Sequence, residues 1–306
     1  MKHLLILAFG FCLSSSVIAQ KTFDLITVSG RYGFPQPYEE TYNGNATELG
    51  SMINLAAPIS LSEKTMWFTS LNYFYWNVKN EETMPAEISN PINIHGFILR
   101  TGIIKKLQND GELQLLFAPR LMSDLNNIGS DHFQLGALVM YKKKFHDQLT
   151  MAFGAMYNQE LFGPYLVPLV DLDWQLSERW SITGMLPVYS KIKYKVNDNF
   201  DLGIAHFGLI TSYKLGAPEN NGDYIERSSI DLAAYARHRI AGNLFLEGRF
   251  GRALGRNYAQ YAADQKVSFS LPLVGFGDDR IQKNVKFNDG WIAEVRLVYS
   301  VPVPGS

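Results

Sequence analysis

The sequence predicts an all-β protein: a transmembrane, antiparallel, up-and-down β-barrel of about fourteen strands, with twelve as the alternative. Three observations predict it. Apolar and polar residues alternate with a period of two along the whole chain. The connections between these segments alternate between short and long. The first nineteen residues have the form of an export signal.

The leader "MKHLLILAFGFCLSSSVIA" opens on Lys2 and His3, continues with an apolar run from Leu4 to Leu13, and ends on Val17-Ile18-Ala19. Val17 and Ala19 occupy the −3 and −1 positions of a signal-peptidase site, so residues 1–19 are assigned to a signal peptide and 20–306 to the barrel. The apolar run is too short to span a bilayer as a helix. Cys12 is the only cysteine, and bulky Phe11 before it argues against lipidation. Without its leader the chain has no thiol, which excludes disulfides, thiolate zinc sites and cysteine nucleophiles. Cleavage leaves 306 − 19 = 287 residues and removes Lys2, so 27 Lys+Arg face 29 Asp+Glu, a net of −2. That balance gives no basic excess for nucleic acid. The most apolar later segment, "LFGPYLVPLV", is interrupted by Pro164 and Pro168. A membrane-spanning form of this chain must therefore be a closed barrel.

The stretch "HFQLGALVMYKKKFHDQLTMAFGAMYNQE", His132–Glu160, shows the alternation clearly. One row reads Phe133, Leu135, Ala137, Val139, Tyr141 and, after a charged tip, Leu149, Met151, Phe153, Ala155, Tyr157. Phe133–Tyr141 extends over roughly 26 Å at about 3.3 Å per residue, and a tilt of about 40° reduces this to roughly 20 Å, close to the ~25 Å apolar band of such barrels. Phe133 and Tyr157 then mark one interface, Tyr141 and Phe145 the other. Periodicity alone fits a soluble barrel with its apolar row inward equally well. The leader, the loop alternation and the lack of disulfides favour lipid.

The pattern places strands at 22–34, 47–59, 65–78, 92–106, 112–121, 132–144, 148–157, 164–176, 180–186, 190–196, 199–213, 228–240, 243–254 and 290–302. Short connections fall at 60–64, 108–111, 145–148, 177–179, 197–198 and 241–243, and longer ones near 35–46, 78–91, 122–131, 158–163, 214–227 and 255–289. The short set is expected at the periplasmic end together with both termini. The hairpin around Pro187 decides between fourteen and twelve strands, and 266–279 could add strands or fold as an external loop.

The "W…P" hairpin of "RWSITGMLPVYSKIKYKVNDNFDLG" and the closing "DGWIAEVRLVYSV", behind a signal peptide, resemble the uncharacterised outer-membrane β-barrel proteins of Bacteroidota, grouped only as a domain of unknown function. The resemblance covers nearly all of the mature chain. It implies a barrel and carries no catalytic or ligand residue. Tyr299 is followed by "SVPVPGS", a departure from the usual terminal aromatic.

The chain contains none of the common catalytic or phosphate-binding motifs. His3, His95, His132, His146, His206 and His238 lack metal-ligand spacing. No catalytic, cofactor or metal residue is assigned. Asp131-His132 and Asp278-Asp279, both in external loops, resemble the paired dipeptides of omptin-type barrel proteases, in which acidic groups activate a water, but Asp-rich loops are usually solvated turns and nothing around either dipeptide resembles omptin sequence. The expected lumen lining is Arg31, Asp231, Arg237, Arg239, Glu247, Arg249, Glu294 and Arg296, on the last three strands and the first, which meet in a closed barrel. It forms either a polar channel wall or a paired network that fills the bore.

The leading functional expectation is a small porin-like channel for solutes. Alternatives are a barrel enzyme acting on peptides or lipids, or a structural or adhesive barrel. A chain of this size cannot hold a plug domain and a 22-stranded barrel. Expected partners are outer-membrane lipid, the barrel-assembly machinery and small solutes. N-terminal sequencing of membrane-extracted protein should give Gln20 as the first residue; Met1 on the folded species would contradict export by this route.

Overall fold

The computed structural model describes residues 22–38, 44–81, 92–220, 222–286 and 288–302. The expected leader and its cleavage site lie outside the described residues.

Fourteen strands form one closed antiparallel barrel. They are β1 (Thr22–Pro37), β2 (Asn45–Ser62), β3 (Thr65–Asn80), β4 (Ile92–Lys106), β5 (Gly111–Phe117 and Arg120–Ser123), β6 (Phe133–Gln134 and Gly136–His146), β7 (Leu149–Glu160), β8 (Gly163–Gln175), β9 (Trp180–Leu186), β10 (Tyr189–Asn197), β11 (Phe200–Lys214), β12 (Tyr224–Ala241), β13 (Leu244–Tyr261) and β14 (Gly290–Pro302). Each pairs with the next, and β14 closes on β1 from Thr22↔Pro302 to Gly33↔Ile292. The Pro187 hairpin supplies two true strands, paired from Trp180↔Tyr194 to Thr183↔Lys191. The stretch 266–279 adds no spanning strand. It holds a short hairpin, Phe269–Leu271 with Val274–Phe276, inside the connection after β13.

Burial shows which solvent the greasy rows meet. Phe133, Leu135, Val139, Tyr141, Phe153 and Tyr157 are exposed, as are Val28, Leu55, Leu115, Leu232 and Val295 on other strands. The opposite rows bury Arg31, Glu48, Arg120, Gln134, Asn158, Glu160, Arg227 and Glu247. A soluble barrel has the reverse polarity. An apolar exterior around a charged interior is stable only with lipid outside.

Tight turns gather at one end, such as Glu63-Lys64 and Gly242-Asn243, and long connections at the other. The sorting is less strict than the sequence predicts. The connection expected at 158–163 is only Leu161-Phe162, and Pro187-Val188 is also tight at the loop end. The reason is the inverted polarity: Asn158 and Glu160 look like loop residues but point inward, where polar groups belong. β12 and β13 likewise run beyond the predicted limits at 228 and 254. Gly255, at φ +57°, makes a bulge between the pairs Ser228↔Asn257 and Ile230↔Leu254. The extra residue shifts the phase, so Arg256 and Tyr258 turn inward above it.

Val139 and Val295, 45% and 59% exposed, sit mid-strand on the outer face. Replacing either with Arg should destabilise the protein by about 2–4 kcal/mol near the bilayer midplane, measured by urea unfolding in lipid vesicles. Two variants as stable as the parent would reverse the assigned facing.

Candidate functional site

Inward side chains form three groups along the lumen. The first, nearest the turns, centres on Glu247, which is fully buried. Its carboxylate meets Lys191 Nζ at 2.7 Å, Arg249 Nη2 at 2.7 Å, Arg296 Nη1 at 3.0 Å and Arg237 Nη1 at 3.8 Å. Arg249 also reaches Glu294 at 3.4 Å, and Arg237 reaches Asp24 at 3.3 Å. Strand register explains the set: Arg237↔Glu247 and Glu247↔Arg296 are direct cross-strand pairs.

The second group lies farther up. Arg31 pairs with Asp231 and with Glu48, the latter at 2.7 Å. Tyr258 donates its hydroxyl to Glu48 at 3.0 Å and accepts from Arg227 Nε at 3.1 Å. The Arg227 guanidinium lies 3.6 Å from the Trp76 ring centroid. Gly50 makes room for that ring, because a Cβ there would sit 2.6 Å from it.

The third group joins strands that are not neighbours. Glu160, at the end of β7, accepts from Arg120 Nη1 of β5 at 2.8 Å. It also accepts from Ser212 N–H at 2.9 Å and Ser212 Oγ at 2.7 Å, both on β11. Gln134 of β6 donates to the Ser212 carbonyl at 3.0 Å. Lys214 forms a parallel bridge with Ser123 of β5, and Asp124 accepts from Gly216 N–H at 2.9 Å. The loop-end half of β11 therefore crosses the bore and is stitched to the facing wall.

Around this stitch the loop-end half is filled. Tyr213 and Tyr258 pack with Trp76, Ile94, Ile98 and Met122 on one side of the crossing sheet. Ile210 packs with Leu138, Met140, Val167 and Leu169 on the other. The turn-end half differs. Inward-facing Tyr189 is 46% exposed, and the side chains of Lys142 and Asp24 are 44% and 35% exposed. Water reaches that half.

The sequence-derived wall thus separates into two groups. Arg31 and Asp231 belong to the upper one, and Arg237, Glu247, Arg249, Glu294 and Arg296 to the lower. Arg239 is exposed and lies 5.2 Å over the Phe245 ring at the turn end, outside both groups. Lys191, Glu48, Arg120, Arg227, Arg256 and Glu160 escaped the sequence reading. Lys191 carried a usable signal: in "KIKYKV" the lysines alternate with Ile192, Tyr194 and Val196, which turns them inward.

The omptin-like dipeptides serve separate loops. His132 is buried with Nδ1 3.0 Å from Asp131 Oδ1, and Asp131 meets Lys214 at 3.3 Å. Burial opposes the Asp131 carboxylate, but hydrogen bonds from Lys214 and His132 hold it below the usual aspartate value. Asp278 is held by Arg280 at 2.8 Å. Among the described residues no group of three His, Cys, Asp or Glu could hold a metal ion.

Removing the Glu247 charge leaves four cations around a neutral group. Glu247→Gln should lower stability by about 3–5 kcal/mol, the cost of leaving buried charge uncompensated, read from the urea midpoint in vesicles. An unchanged midpoint would show that water screens the cluster.

No curated protein matches the chain in sequence. Solved structures share the barrel architecture at low identity. The COG4313 outer membrane channel from Pseudomonas putida F1 is 10% identical over 94% of this chain and 100% of that one, with a TM-score of 0.45. The translocator domain of the autotransporter NalP from Neisseria meningitidis is 11% identical over 90% and 88%, with a TM-score of 0.36. The NanC porin is 11% identical over 90% and 98%, with a TM-score of 0.34. Residues 16–272 match the family described as a domain of unknown function (DUF6268), and the chain belongs to that family.

Proposed function

We propose that the protein is an outer-membrane channel for small solutes, with a polar periplasmic vestibule and an outer half that is closed at rest. The observation that carries this reading is the contrast along the bore. Lys142 and Asp24 keep access to water in the turn-end half, beside the buried Glu247 and its cations, whereas Arg227, Arg256, Tyr213 and Tyr258 are fully buried in the loop-end half. A wall built only for rigidity has no need of a wet, charged vestibule. The lumen residues Arg31, Asp231, Arg237, Glu247, Arg249, Glu294 and Arg296 would set which solutes enter, and lipid and the assembly machinery would be the protein's partners in the membrane. Opening requires the loop-end half of β11 to leave the facing wall, so the Glu160 stitch is the latch.

The packed outer half favours a second reading, a structural barrel whose ordered loops bind a partner. Planar-bilayer recording separates the two. The parent should show rare or brief openings, and Glu160→Gln, which weakens the charge-assisted bonds from Arg120 and Ser212, should make them frequent. Correctly folded parent and variant that both stay silent would reject the channel and leave the structural barrel.

A further inference from the structure

The barrel wall is interrupted on one side. The β9–β10 hairpin turns back at Pro187-Val188, while the strands flanking it run on. β8 is laddered to β9 only from Val170 to Gln175, and β11 to β10 only from Phe200 to Phe207. Toward the loop end, 163–169 of β8 and 208–214 of β11 have no ladder between them among the described residues. β11 has turned into the bore, where Lys214 bridges to Ser123. A sheet in lipid cannot leave such an edge bare, because hydrocarbon offers nothing to bond its N–H and C=O groups.

Two features answer the exposed edge. Pro164 and Pro168 both fall in the unpaired stretch, and proline has no N–H to leave unbonded. The hairpin Phe269–Phe276 lies against the same edge. It is joined to β8 by one parallel pair, Tyr165↔Ser270, with Val267 N–H donating to the Phe162 carbonyl at 2.8 Å beside it. The other edge of β8 holds twelve pairs with β7, so the hairpin is by far the more weakly fastened side. Its tip is apolar and open: Leu273 is 77% exposed, Val274 and Phe276 49% each. An exposed apolar tip beside a lipid-facing strand is placed to enter the membrane. Behind the hairpin Phe162, Val167, Leu169 and Ile210 pack an apolar patch, bordered by the Arg280–Glu226 pair whose guanidinium lies 5.6 Å over the Phe162 ring.

The geometry points to a lateral gate: the hairpin Phe269–Phe276 covers a passage between β8 and β11 through which small apolar, membrane-partitioning molecules cross the wall. A molecule on this route meets mainly aliphatic and aromatic side chains, passes beside the Arg280–Glu226 pair and avoids the ion pairs around Glu247. The route is independent of the axial opening proposed above, since the Glu160 stitch can stay closed while the hairpin swings outward.

A disulfide tests it. A chain beginning at Gln20 has no native thiol. Tyr165→Cys with Ser270→Cys places a thiol on each side of the one strand pair between the hairpin and β8. The readout is influx of the apolar fluorophore N-phenyl-1-naphthylamine into cells carrying the protein in their outer membrane. Oxidation of the double variant should bring influx down to the rate of cells lacking the protein, and a reductant should restore it, with the parent indifferent to both. Because Tyr165→Cys also removes a packed ring, a second variant keeps Tyr165. Leu273→Ser with Val274→Ser and Phe276→Ser removes the tip's hold on lipid and should raise influx above the parent. Undiminished influx after oxidation, no rise in the serine variant, or a parent no faster than cells lacking the protein would overturn the gate. Planar-bilayer current through the same proteins reports the axial route separately, so silence there rejects the channel reading and leaves influx to decide the lateral one.

Discussion

Hydrocarbon gives a peptide group no partner, and the rest of this architecture depends on that constraint. With no helix among the described residues long and apolar enough to cross a membrane, these strands can meet it only by closing a sheet on itself. Fourteen antiparallel strands do so, each ladder satisfying its neighbour until β14 returns to β1. The same constraint explains the exception. Where β9 and β10 stop short, the free edge of β8 carries two prolines and borrows a strand from an external hairpin. The departure from a regular barrel sits where the backbone requirement is met by other means.

Once the backbone is satisfied, the side chains sort themselves. Lipid takes the aliphatic and aromatic row, and every second residue is turned into a bore that must hold whatever is charged. Burying a carboxylate such as Glu247 is tolerable because four cations surround it, and burying Glu160 because a guanidinium, a hydroxyl and an amide converge on it. Such groups are weak evidence for stability, since well-packed apolar residues could replace them. They are stronger evidence for arrangement. Glu160 bonds only if β5, β7 and β11 come together across the lumen, and that meeting divides the bore into a wet half and a packed half.

The resulting division of chemistry along and across the wall is what gives the molecule functional options. A charged vestibule suits polar solutes. An apolar seam behind a weakly fastened hairpin suits molecules that prefer lipid. Both can exist in one barrel because the crossing segment of β11 has two faces, Tyr213 toward one wall and Ile210 toward the other.

Much of this was legible in the residues. The strand count, the outward row from Phe133 to Tyr157 and the inward facing of Glu247 and Arg296 follow from a period of two, because a pleated strand has no other way to place successive side chains. Cross-strand neighbours such as Arg237 and Glu247 could be named because antiparallel order along the chain fixes adjacency. What lay beyond the sequence is contact across the lumen. Glu160 meets Arg120 forty residues away and Ser212 fifty-two away, on strands that share no ladder with β7. Lys191 reaches Glu247 from three strands off, and the bulge at Gly255 reverses the facing of Arg256 and Tyr258. Alternation reports which face of the wall a side chain occupies. It carries no information about how the wall bends, and the bending brings those groups together and leaves the seam beside β8.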